Sequence, residues 1–183
     1  MTLFLIVGAS GSGKTSIMHE LNTYMGKNVL SECVSHTTRP KREGEVDAES
    51  YYFVSKEMFE EGIQNDVFAE TVHYDGHWYG ISKYEIESRS TKHAYIIVNY
   101  DGYKQIKEVY PDAVGVFLYM SKEDCMISML ERGDTLEDAL SRIELYDNEI
   151  KNKHDFDYVV KNVRGKFNET KNIVANIIGQ HGV

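Results

Sequence analysis

The sequence predicts an α/β fold, an open parallel sheet with helices on both faces. Three observations predict it. Short apolar runs at 3–7, 29–34, 94–99, 114–119 and 157–160 have the length and composition of buried strands. Helical spacing of apolar residues fills most of the gaps between them, which is the pattern of parallel strands joined by crossover helices. The first run also passes through a glycine-rich turn straight into the first helical stretch. A chain of 183 residues suffices for one compact domain with a proper core. The order of strands within the sheet is left open.

Taken in order, Thr2–Val7 is the first strand and Lys14–Met25 the first helix, with Gly26 as its stop. Val29–Val34 is the second strand. Ser35–Glu45 is polar, is broken by Pro40 and Gly44, and follows neither regular period, so a loop is expected. Tyr51–Val54 is a strand by β-propensity. Ser55 then caps a helix carrying Met58, Phe59 and Ile63. Val67–Tyr74 and His77–Ile81 flank Asp75-Gly76, a hairpin signal. Residues 36–82 thus form a small strand-rich insertion between α/β units.

The α/β pattern then resumes. A helix runs from Ser82 to Ser90, a strand from Ala94 to Asn99, and a helix from Gly102 to Tyr110, stopped before Pro111. Val114–Tyr119 is a buried strand. Ser121 caps a helix through Cys125, Met126, Met129 and Leu130. Arg132-Gly133-Asp134 interrupts it, and one long helix with Leu136, Leu140, Ile143, Leu145 and Ile150 follows. Asp157–Val160 is a last short strand, and Lys166–Ile178 a terminal helix.

The turn after the first strand is Gly8-Ala9-Ser10-Gly11-Ser12-Gly13-Lys14-Thr15, followed by Ser16. It matches G-x-x-x-x-G-K-[ST] in the strand–loop–helix setting that gives that string its meaning. Glycines let the backbone curl so that several N–H groups point inward. A phosphate chain then sits on those donors and on the positive end of the helix. Lys14 adds a charge near the outer phosphates, and the Thr15 hydroxyl can hold Mg²⁺.

Composition narrows the rest. Twenty Lys and Arg against 29 Asp and Glu leave a net charge of −9, which argues against a general nucleic-acid binder. No apolar stretch is long enough for a membrane span. Met1 leads directly into the first strand, leaving no room for a signal peptide, and two cysteines without C-x-x-C spacing fit a reducing cytosol, so a cytoplasmic location is expected. The six arginines are unevenly placed: Arg39 and Arg42 form one pair and Arg132 and Arg142 another. Forked guanidiniums grip phosphate oxygens in pairs. On the residues alone, Ser35–Glu45 is as well read as a solvated loop, Arg132 as a helix C-terminal cation, and Arg142 as a surface residue.

Several of these stretches together resemble one family. GASGSGKT, SHTTRPKREGE, YYFV, FAET, DGHWYG and DYVVKN resemble the guanylate kinases, in order and at suitable spacing. The resemblance covers nearly the whole chain, and Ser35–Gly80 is its most specific part. It implies a P-loop NTPase fold with a core (1–34, 83–128, 144–183), a GMP-binding insertion (35–82) and a helical lid (129–143). It implies transfer of the γ-phosphate of ATP to GMP or dGMP, with Mg²⁺. By that resemblance, residues 8–16 hold ATP. Arg39, Arg42, Tyr51 and Tyr79 grip the GMP phosphate, while Ser35 and Glu70 meet the guanine edge. Asp101 stands for one acidic group of the family's D-x-D stretch, and Lys14, Arg39, Arg132 and Arg142 stabilise the transfer.

Guanine fits this chemistry. A carboxylate can accept from its N1–H and N2 amino group together, and a hydroxyl can address O6. Adenine would leave the carboxylate facing a lone pair. Three departures stand out: Ile81 replaces the family's usual Ser or Thr after Tyr79-Gly80, the D-x-D stretch appears one residue shorter as Val98-Asn99-Tyr100-Asp101-Gly102, and Met129 replaces a lid arginine. Two other readings remain at this stage. One is a kinase for another phosphorylated small molecule, such as a ribosyl phosphate. The other is a non-catalytic peptide-binding module, which usually lacks the phosphate loop.

Overall fold

The computed structural model describes residues 1–74 and 76–182; Asp75, half of the expected Asp75-Gly76 turn, lies outside the described residues. Five strands form one parallel sheet: β1 (Thr2–Val7), β2 (Leu30–Glu32), β7 (His93–Ile97), β8 (Val114–Tyr119) and β9 (Tyr158–Lys161). Their order is β2-β7-β1-β8-β9, which puts the first strand at the centre. Helices α1 (Lys14–Met25) and α8 (Phe167–Gln180) cover one face, and α3 (Lys83–Glu87) and α4 (Tyr100–Val109) the other.

The alternation along β1 shows why. Leu3, Leu5 and Val7 pack with Ile86, Tyr103 and Ile106, whereas Phe4 and Ile6 pack with Ile17, Leu21, Val174 and Ile178. Both faces of the strand are apolar because both are covered.

The stretch between β2 and α3 builds a second, mixed sheet from β3 (His36–Thr37), β4 (Tyr52–Phe53), β5 (Phe68–Tyr74) and β6 (His77–Ser82), in the order β4-β3-β6-β5. β3 is parallel to β4 and antiparallel to β6. Helix α2 (Lys56–Gln64) lies over it, with Phe59 stacked on Phe68 and Trp78 at 4.3 and 5.8 Å. Ser55 caps α2 by accepting the Met58 N–H.

Four expectations need correction. His36–Thr37, expected in a loop, is a strand, because its backbone N–H and C=O groups pair with β4 and β6 whatever the polarity of the side chains. Helix α4 begins at Tyr100 rather than Gly102: Asn99 caps it, accepting the Gly102 N–H at 2.8 Å. The helix expected over 82–90 is only α3, ending at Ser88. The single long helix after Gly133 is two, α6 (Leu136–Glu144) and α7 (Tyr146–Ile150), parted at Leu145. Of its apolar residues, Ile143 and Ile150 pack against the core, half-buried. Leu136, Leu140 and Leu145 are exposed, and Ala139 is the one buried residue of α6. Before this pair, α5 (Lys122–Glu131) ends at Arg132.

Candidate active site

The phosphate loop joins β1 to α1. Gly11 and Gly13 have φ of +79° and +89°, a region that L side chains rarely adopt. A Cβ on Gly11 would stand 2.4 Å from the Cys125 carbonyl oxygen, and one on Gly13 2.6 Å from Asn162 Nδ2. Asn162 is a strut. Its Nδ2 donates to the Ser12 carbonyl at 3.1 Å, and its Oδ1 accepts from Thr170 of α8 at 3.0 Å. Gly11→Ala is expected to cost about 1–2 kcal/mol from its backbone conformation alone, lowering the thermal midpoint by several degrees. Calorimetry checks this.

The N-terminus of α1 is left open. Its N-cap is Gly13, with no side-chain cap, and no acidic residue stands in its first turn. The helices capped by Ser55, Asn99, Ser121 and Thr135 all carry acids in theirs. The first amides of α1 and the positive end of its dipole are therefore free for an anion. Lys14 Nζ, half-buried, donates to the carbonyls of Gly8 at 2.7 Å and Ala9 at 2.8 Å. Burial pushes its pKa down to about 8, while the Glu149 carboxylate opposes that shift.

Glu149, on α7, was not legible as a site residue. Its Oε2 is buried without a partner, and burial raises its pKa against the pull of Lys14 and the Ser10 amide. Helix α7 is held there by Tyr146, whose hydroxyl donates to the Met120 carbonyl at 2.6 Å.

Two cavities meet at this loop. One, of about 210 Å³, is lined by Ser10, Gly11, Gly13, Lys14, Thr15, Ser16, Ser128 and Arg132. The other, of about 390 Å³, is lined by Thr15, Ser35, Tyr51, Cys33, Glu49 and Ile97 among others. Thr15 belongs to both. Tyr51 packs edge-on against Tyr79, with ring centroids 6.0 Å apart, and the Arg39 guanidinium lies 5.5 Å from the Tyr51 ring centroid. Arg39 is buried and holds Glu45 with both forks, at 2.6 and 3.1 Å. Glu45 also accepts the Arg42 backbone N–H at 2.7 Å, while the Arg42 side chain is exposed. The arginine pair thus encloses a carboxylate, the planar anion that best imitates a phosphate edge.

The lid arginines show the same arrangement. Arg132 grips Asp134 through Nε at 2.8 Å and a terminal nitrogen at 2.6 Å, and Arg142 reaches the same carboxylate at 3.9 Å. Arg132 holds the Asp134 pKa below the ordinary carboxylate range.

Glu70 is buried on β5 opposite Ile81, and its Oε2 has no partner. Burial alone pushes its pKa up to about 7. Ile81 is fully buried in the core cluster and offers Glu70 no polar group. The α4 residue that faces Glu70 is Gly102, where a Cβ would lie 3.5 Å from the carboxyl carbon. Asp101, expected on the acceptor side, points outward instead: its side chain is three-quarters exposed and pairs with Lys104 at 3.0 Å. The neighbouring Gly102 is buried with Tyr103 and Ile106 on the inner face of α4, while Asp101 lies on the outer one.

A parallel sheet entered through a glycine-cradled loop, with a lysine opening the following helix, defines the P-loop NTPase class. Comparison with known proteins narrows this. The guanylate kinase family model matches residues 1–181. Guanylate kinase from Neisseria meningitidis serogroup A is 37% identical over 164 residues, covering 87% of this chain and 79% of its own. Guanylate kinase from a strain of Thermus thermophilus is 36% identical over 164 residues, covering 87% and 73%. A crystal structure of guanylate kinase from Anaplasma phagocytophilum shares the fold, with a TM-score of 0.73 at 22% identity, covering all of this chain and 87% of its own. The chain belongs to the guanylate kinase family, the ATP-dependent kinases of nucleoside monophosphates.

Proposed function

We propose that the two cavities joined at Thr15 seat ATP and GMP or dGMP end to end, and that the γ-phosphoryl passes between them to give ADP and GDP or dGDP. The observation that carries this is the shared Thr15 wall, with the glycine loop and Arg132 on one side and Ser35 and Tyr51 on the other. The donor phosphates lie on the loop amides and the open end of α1. Lys14 leaves the Gly8 and Ala9 carbonyls for the outer phosphate oxygens.

Arg39, Arg42, Tyr51 and Tyr79 hold the acceptor phosphate against its repulsion from the donor. Ser35 and Glu70 address the guanine edge. The acceptor oxygen is already ionised near neutral pH, so no general base is needed; positioning and charge neutralisation suffice. Arg132 and Arg142 exchange Asp134 for the transferring phosphoryl group as the lid closes and excludes water. The residues fit Mg²⁺: the Thr15 hydroxyl, exposed at the first turn of α1 beside the glycine cradle, would hold the ion that neutralises phosphate charge.

A coupled assay with GMP, dGMP, AMP, CMP and dTMP tests the reading, and comparable rates on AMP would remove the guanine assignment. Turnover of a ribosyl phosphate with no competition by guanosine would move the acceptor to another class. Arg132→Ala is expected to lower kcat by about 10²–10³ with the KM for GMP little changed. A rise in that KM with kcat intact would place Arg132 on the acceptor instead.

A further inference from the structure

The second sheet leaves the core at Val34–Ser35 and rejoins it at Ser82–Lys83, and one residue bonds both connections, the first through its carboxylate and the second through its backbone N–H. Glu85, in α3, is 5% exposed. Its Oε1 accepts the Val34 backbone N–H at 2.8 Å and a bond from the Arg89 guanidinium. Its Oε2 accepts the Tyr52 hydroxyl at 3.1 Å, and its own N–H donates to Ser82 Oγ at 3.1 Å. A buried carboxylate is costly unless its lone pairs and charge are matched. Here the matching groups come from the outgoing connection, from the second sheet and from the core.

The placement has a direct consequence for the acceptor cavity. Val34 immediately precedes Ser35, and Tyr52 immediately follows Tyr51. Ile86, the next residue after Glu85, is anchored in the core cluster. A cavity of about 580 Å³ beside this knot, lined in part by Glu32, Glu49, Tyr52 and Arg89, leaves the second sheet no packed wall there. The hydrogen bonds of Glu85 therefore tie that sheet to the core at the cavity edge, beside the apolar packing of Ala69 and Ile81 with Ile86. None of its partners belongs to the phosphate loop.

We infer that Glu85 is a positioning residue of the acceptor site, fixing where Ser35 and Tyr51 stand relative to Thr15. This rests on the acceptor reading given above. Glu85→Gln keeps the shape and loses the charge that holds Arg89. It is expected to raise the KM for GMP about tenfold while the KM for ATP stays within twofold of wild type. Tyr52→Phe removes one hydroxyl and no charge, and is expected to raise the KM for GMP about threefold with an unchanged thermal midpoint. A role confined to stability would lower the midpoint of Glu85→Gln without separating the two KM values.

Amide hydrogen exchange supplies a readout that needs no substrate: the Val34 N–H is expected to exchange at least fivefold faster in Glu85→Gln, with β1 amides unaffected. The inference is overturned if Val34 exchange is unchanged, if the KM for GMP stays within twofold in both variants, or if the KM for ATP rises in step. If the wild type fails to phosphorylate GMP, the acceptor reading fails by itself, and faster Val34 exchange would still establish Glu85 as the tie between the two sheets.

Discussion

Lys14→Ala is expected to reduce kcat by about three orders of magnitude or more, with GMP binding largely kept. Lys14 is the one cation already inside the phosphate loop, held by the carbonyls of Gly8 and Ala9 at 2.7 and 2.8 Å. Those carbonyls carry only partial charge, so a phosphate oxygen displaces them readily. Burial pushes the Lys14 pKa down to about 8, so the phosphates of a bound nucleotide would favour its charged form. Its removal leaves charge developing on the transferred group unopposed at the donor, whereas the groups lining the acceptor cavity remain in place. Steady-state kinetics and a GMP titration by calorimetry measure the two effects separately. Wild-type turnover in the variant would refute the phosphate-loop assignment, and a parallel loss of GMP affinity would refute the division into donor and acceptor sides.

Glu70→Gln is expected to raise the KM for GMP about 100-fold and leave the KM for ATP nearly unchanged. In the proposed complex the carboxylate accepts two N–H groups of guanine, whereas an amide could accept only one while turning a donor toward the other. The pH dependence carries a sign. Burial pushes the pKa of unliganded Glu70 up to about 7, and the proposed guanine contact requires the ionised form. Apparent affinity should then improve roughly tenfold from pH 6 to pH 8. The GMP phosphate titrates near pH 6 on its own, so the test is the difference between wild type and Glu70→Gln, which keeps only the phosphate contribution.

Stability moves the opposite way. The folded pKa of Glu70 lies above its unfolded value, so ionisation costs stability. That cost is absent below about pH 4.5, grows up to about pH 7, and persists above it. The shift corresponds to about 3 kcal/mol, of which a buried Gln amide forfeits part. Glu70→Gln should therefore melt a few degrees higher than wild type at pH 8 and no higher at pH 4. A variant that melts lower at pH 8 would show that Glu70 has partners in the fold.

The core sheet was legible because its strands are apolar on both faces, and the phosphate loop because only glycine tolerates its backbone. Asn162 lay within a recognised stretch, but nothing local reveals that its amide reaches back 150 positions to Ser12. Glu45, Asp134 and Glu149 were missed for a shared reason. An acid near a basic residue is commonplace in sequence, and only geometry shows Glu45 and Asp134 gripped by guanidiniums that a phosphate would claim and Glu149 buried within the field of Lys14. That Asp101 lies on the outer face of α4 was not legible, because a run of four residues does not show which of them the helix turns toward the core. The apolar spacing of Leu136 and Leu140 marks no buried face, since α6 buries only Ala139.

The strut beneath the glycine loop also bears on the order in which the molecule can become competent. The loop leaves the ribosome well ahead of the amide that fixes Ser12 and the hydroxyl that fixes that amide, which are translated some 150 codons later. A nascent chain stopped short of Asn162 would carry the whole nucleotide motif on a floor with one beam missing. Competence to grip a triphosphate therefore waits for Asn162 and Thr170, and chains that lack them are expected to be poor competitors for cellular ATP.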